Sequence, residues 1–161
     1  MAEREPVASG VTIRWSGLFD MEDIYKKSKG YFDTKVMDFK EEKYIERIKP
    51  NGKQLEIKWT ASRKIGGYYK KVIEVGILVL GMNKVEVEKD GRKLALEKGD
   101  IEFQFDAYLV KNINDKFGEG SFYKKAYDML NKSRSENYKI ELYDAVYGLV
   151  EDVKLLMEMH A

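Results

Sequence analysis

Cysteine is absent from the 161 residues, which removes disulfides, thiolate metal sites and cysteine nucleophiles together. A chain without cysteine suits a reducing compartment, so a cytoplasmic location is expected. Histidine occurs once, as His160, beside a chain end where fraying is the rule. No Ser-His-Asp or Cys-His arrangement can be assembled around it, so the commonest general base near pH 7 is missing. Long apolar runs are missing too. The longest, residues 76–82, falls far short of the ~20 residues a membrane helix requires, so no membrane insertion is expected. Residues 1–10 are polar and lack the apolar stretch of a secretory signal; they read as a flexible segment before a single domain over 11–161. No phosphate-cradling glycine motif leads from a strand into a helix. Metal ligation would have to be all-oxygen, and no EF-hand spacing exists. No metal and no cofactor are expected.

What is present is ample for a core: 43% apolar residues, 12% aromatic. Charged residues reach 35%, with 29 basic against 28 acidic, a net charge of +1. Rich in Lys and Glu and with only Gln54 and Gln104 as glutamines, the composition is of the kind found in hyperthermophile proteins. The near-zero balance argues against a DNA-coating protein. Its distribution is uneven: residues 1–99 carry excess positive charge and residues 100–161 excess negative charge.

Val11, Ile13 and Trp15 alternate with polar neighbours and predict a first strand. Asp20 reads as the N-cap of a helix with Asp23 in its first turn, and Gly30 as its stop. Residues 31–49 read as one bent or bulged strand, ending at a Pro50-Asn51-Gly52 turn. Leu55, Ile57, Trp59 and Ala61 make the cleanest alternation. Gly66-Gly67 turns the chain into a strand over 68–82, apolar on both faces in its middle and therefore expected to be central and covered on both sides. Two short strands about Asp90-Gly91, a preferred type I′ hairpin dipeptide, and a turn at Lys98-Gly99 lead into a last strand over 101–109. After a polar loop, Ser121 would cap a helix carrying Phe122, Ala126, Met129 and Leu130. A long helix over 138–159 closes the chain, with Leu142, Ala145, Val146, Leu149, Val153, Leu156 and Met157 on one stripe. The fold class is α+β: one antiparallel meander sheet of about 6–7 strands, one helix after the first strand and two C-terminal helices.

Glu86 and Glu88 share a strand face with Lys84, which resembles the E-x-E-x-K strand of triphosphate tunnel enzymes. Position 90, where a lysine should stand, is Asp90 in a turn, and an exposed hairpin face accounts for the pattern. Between Ile57 and Ile73 five basic residues, Lys58, Arg63, Lys64, Lys70 and Lys71, form a basic patch interleaved with Trp59, Tyr68 and Tyr69. Lysines beside stacking aromatics suit single-stranded nucleic acid, but the neutral chain and an inward Trp59 weigh against it. Charged strands also guard sheet edges.

The order of elements resembles the helix-grip layout of START and Bet v 1-like domains, over most of residues 11–161. It departs from that layout in having one helix after the first strand and two at the end. The resemblance implies an apolar or amphipathic ligand between sheet and last helix, with Trp59, Phe103, Phe105, Leu149 and Val153 lining the cavity. The same side chains would equally serve as plain core. Tyr138, Tyr143, Tyr147 and Val150 widen the apolar arc of the last helix, which suits a homo-oligomer or a larger assembly. The leading expectation is a non-enzymatic binding domain. The alternative is an interaction subunit, ahead of a nucleic-acid binder.

Overall fold

Alternating side chains on successive hairpins build one antiparallel sheet, and the periodic helices cover one of its faces. The computed structural model describes residues 2–113 and 122–161. Its elements run β1 (Glu3–Phe19), α1 (Met21–Thr34), β2 (Asp38–Lys49), β3 (Gly52–Ile65), β4 (Tyr69–Lys89), β5 (Arg92–Lys111), α2 (Phe122–Leu130) and α3 (Lys132–Glu158). The five strands are ordered β1-β5-β4-β3-β2, every neighbouring pair antiparallel. No helix among the described residues is long and apolar enough to cross a membrane.

The expected α+β class stands, but with five strands rather than 6–7. β4 runs straight through the residues expected to end one strand and begin another. A bulge between Leu80 and Asn83, with Gly81 at φ 61°, absorbs the irregularity. Lys98-Gly99 is not a turn. A Cβ at Gly99 would lie 2.9 Å from the Leu80 carbonyl oxygen, so glycine there serves close backbone approach inside β5. The Asp90-Gly91 turn does form, both residues at positive φ as type I′ requires.

Three further boundaries differ. β1 begins at Glu3, so residues 3–10, expected to be flexible, pair with β5 from the Glu3–Lys111 register onward. Their polarity is explained by ion pairs: Glu5 reaches Lys111 at 2.6 Å and Lys139 at 2.5 Å. α1 starts at its expected cap, Asp20 accepting from the Asp23 amide at 3.1 Å. It runs through Gly30, however, and ends at Thr34, leaving only Asp38–Lys49 of the expected 31–49 strand. Burying Phe32 outweighs the ~1 kcal/mol cost of an interior glycine. α3 begins at Lys132, taking in the polar residues 132–137. The expected Ser121 cap lies outside the described residues.

β4 is central in the sheet, yet covered on one face only. Leu78 and Leu80 point to the open face and are 37% and 43% exposed. Ile73, Val75, Ile77 and Val79 face α1 and α3, and with Trp59, Phe103, Phe105, Leu149 and Val153 they form one core. Each fully buried side chain of this size contributes about 1.5–3 kcal/mol.

Candidate functional site

α1 ends in a Schellman arrangement. The Met37 amide donates to the Phe32 carbonyl at 3.0 Å and the Val36 amide to the Asp33 carbonyl at 3.0 Å. The residue that must be left-handed there is Val36, at φ 56°, where glycine is usual. A β-branched residue in this region costs about 1–3 kcal/mol and is 67% exposed here, so no burial compensates for it.

The strained turn forms the rim of a hollow of about 400 Å³ between sheet and C-terminal helix. Thr34, Lys35, Val36 and Met37 supply one wall; Arg63 of β3 and Lys71 of β4 the second; Glu141, Leu142, Asp144 and Ala145 of α3 the third. Met37, Leu142 and Ala145 are buried and make an apolar floor. Arg63 and Lys71 stand directly opposite each other in the β3–β4 register. Like charges in that position repel by some ~0.2–1 kcal/mol. Lys71, its side chain 12% exposed, is held by Glu141 at 2.5 Å and lies 5.6 Å from the Tyr138 ring centre. Arg63 has no ion-pair partner among the described residues, nor has Lys35, whose ammonium lies 5.5 Å from the Tyr31 ring centre. Asp144 is likewise without an ion pair among them. Once Lys71 and Glu141 cancel, Arg63, Lys35 and Asp144 leave the hollow with one excess positive charge.

Tyr31 ties this site to the helix. Its hydroxyl donates to the Ala145 carbonyl at 2.6 Å, and burial, then Asp152 and Asp144, hold its pKa above the usual tyrosine value. A Cβ on Gly148 would clash with that hydroxyl, so any larger residue there requires the Tyr31 ring to shift.

The five residues expected to line a ligand cavity, Trp59, Phe103, Phe105, Leu149 and Val153, are all at most 2% exposed and lie in the core between sheet and helices. Trp59 donates its indole N–H to Glu41 at 3.1 Å. The basic patch is split by the pleat. Arg63 and Lys71 face the hollow, while Lys58 faces away, 4.0 Å from Glu74. Lys64 and Lys70, paired opposite each other, share that outward face. Of the tyrosine arc on α3, Tyr138 and Tyr147 are half-buried, Tyr143 is exposed and Val150 is buried.

A second hollow, of about 390 Å³, opens on the uncovered sheet face above Gly76. Its carboxylates are already engaged within the sheet. Glu56 accepts from Lys43 at 2.6 Å, Glu74 from the Tyr108 hydroxyl at 2.9 Å, and Asp106 from the Gly10 amide at 2.8 Å. Arg14 holds Glu102 at 2.9 Å. Such exposed pairs are worth ~0–1 kcal/mol each and describe a solvated face. Among the described residues no three carboxylate or imidazole groups converge as metal ligands.

Arg63 and Lys71 were visible in the sequence as basic residues. Lys35, Val36, Glu141 and Asp144 were not, because only the helix end at Thr34 and the packing of α3 against the sheet bring them together. No protein-family model, curated protein or solved structure matches the chain, so the helix-grip likeness rests on element order alone.

Proposed function

We propose that the chain is a binding domain that takes a small amphipathic carboxylic acid into the hollow between the sheet and α3. The observation that carries this reading is Arg63 opposite Lys71 at the hollow, where Glu141 pairs with Lys71 and leaves Arg63 without an ion pair among the described residues. An incoming carboxylate relieves the repulsion and meets a guanidinium suited to two parallel hydrogen bonds. The Met37, Leu142 and Ala145 floor takes the hydrocarbon part. At about 400 Å³ the hollow lies within the range of small-molecule sites, roughly 300–1,000 Å³. The partial resemblance of the element order to helix-grip domains supports a ligand on this side of the sheet.

The test is a titration with straight-chain carboxylic acids from acetate to octanoate, read by calorimetry and melting temperature. Affinity is expected to rise with each CH₂, by up to about 0.8 kcal/mol, until the floor is covered. Arg63→Ala should weaken it by about 10–100-fold, the worth of a charge-assisted hydrogen bond, without lowering the melting temperature. Equal affinity in Arg63→Ala, or no binding by any member of the series, sinks the proposal. The second reading, an interaction subunit, is favoured by a different observation: the outward face of α2.

A further inference from the structure

Four large apolar residues of α2 face solvent. Phe122, Tyr123, Met129 and Leu130 are 78%, 73%, 77% and 84% exposed. The inward side carries charge instead. Lys124, its side chain 8% exposed, pairs with Glu3 of β1 at 2.7 Å and with Asp128 at 3.0 Å. Asp128 also accepts from the Tyr68 hydroxyl at 2.5 Å, and the Tyr68 and Tyr127 rings meet with centroids 4.5 Å apart. These contacts pin the rotation of α2. Turning it to bury Phe122 and Leu130 would tear Lys124 and Asp128 from their partners, so the apolar face is held outward.

We propose that this face is covered by a second copy of the chain, the two α2 helices packing antiparallel about a two-fold axis at Ala126. Ala126 is the middle residue of Phe122–Leu130, flanked one turn away on either side by a large apolar residue. A two-fold through it sets Phe122 against Leu130 of the partner subunit and Leu130 against Phe122 of the partner subunit. The small side chain at the axis lets the helices approach closely. A surface complementary to itself in this way makes a closed dimer. The exposure agrees: four large side chains 73–84% exposed on one short helix make a bare patch at or above the ~300–600 Å² usual for a monomer, which suits a weak dimer at the low end of interface sizes. A net charge of +1 opposes association only weakly.

The test is sedimentation of the full chain from about 1 to about 200 µM, alongside Leu130→Glu and Ala126→Cys. The expected result is a monomer–dimer equilibrium. Leu130→Glu should weaken it by about 30-fold or more while the circular dichroism spectrum and melting temperature hold. Because the chain has no other cysteine, folded Ala126→Cys should give a covalent dimer on mild oxidation. A monomer at every concentration overturns the proposal, as does a dimer indifferent to Leu130→Glu. So does a monomer that adsorbs to phosphatidylserine vesicles, which would assign the face to lipid.

Discussion

Gly148 and Tyr31 should be coupled, and the size of the coupling follows from their geometry. Alone, Tyr31→Phe removes one hydrogen bond to the Ala145 carbonyl and should cost about 1 kcal/mol. Gly148→Ala alone has two opposing effects. A helix interior favours alanine by about 1 kcal/mol. Against that, the new Cβ takes the place of the Tyr31 hydroxyl, so the ring must shift, losing the hydrogen bond and straining its packing at roughly 2–3 kcal/mol. The net is about 1–2 kcal/mol of destabilisation, or about 2–8 °C for a chain of this length. In the Tyr31→Phe background the hydroxyl is gone, and the nearest ring atoms lie 3.4 and 3.7 Å from the added Cβ, ordinary contact distances. There Gly148→Ala should stabilise, by about 0.5–1 kcal/mol. The double mutant should thus be destabilised by roughly 2 kcal/mol less than the sum of the singles. Urea unfolding of the four proteins, followed by far-ultraviolet circular dichroism, measures this directly. Additivity within about 0.5 kcal/mol, or a Gly148→Ala single variant more stable than the parent, would refute the account.

Val36→Gly should raise stability by about 1 kcal/mol, because it relieves a left-handed β-branched residue whose side chain is largely in water; a drop in the urea midpoint would contradict the assignment of strain. The Tyr69 pKa is pushed up to about 12, first by burial and then by Tyr127, Asp128 and Tyr138. Its folded value lies above the unfolded one near 10, so its stabilising contribution is complete below pH ~10 and is lost as pH rises through the folded value. Absorbance at 295 nm should show Tyr69 ionising after the exposed tyrosines and before Tyr68, which burial and Asp128 hold higher still, with the melting temperature falling over pH ~10–12. A melting temperature flat across that window would count against the buried environment.

The local signals that proved reliable were those whose backbone geometry admits few residues. Asp90-Gly91 and Asp20 behave as read, since positive φ and an N-cap each have a short list of acceptable side chains. Glycine on its own misled twice. Gly30 is interior to α1 and Gly99 allows close approach in β5, while the true helix end carries Val36. Glycine serves turns, bulges and tight approach alike, and only the partner strand distinguishes them. Polarity hid β1 before Val11, because Glu3 and Glu5 are matched by Lys124, Lys111 and Lys139 from distant elements. The hollow was half legible: Arg63 and Lys71 share a face by parity, but Glu141 and Asp144 reach it only through tertiary packing.

The strand order also sets a timetable. β2, β3, β4 and β5 each pair with the next along the chain, so that part of the sheet zips through short loops. β1 cannot join until β5 exists, since its first register pair unites Glu3 with Lys111. During synthesis β1 therefore waits unpaired for roughly 90 residues, and the edge of β5 carrying Phe103 and Phe105 stays open until it arrives. A delay so long makes the dense charge of Glu3, Arg4 and Glu5, with Pro6 behind them, a safeguard for the nascent chain: it keeps the waiting strand soluble and discourages pairing with a neighbour's β5.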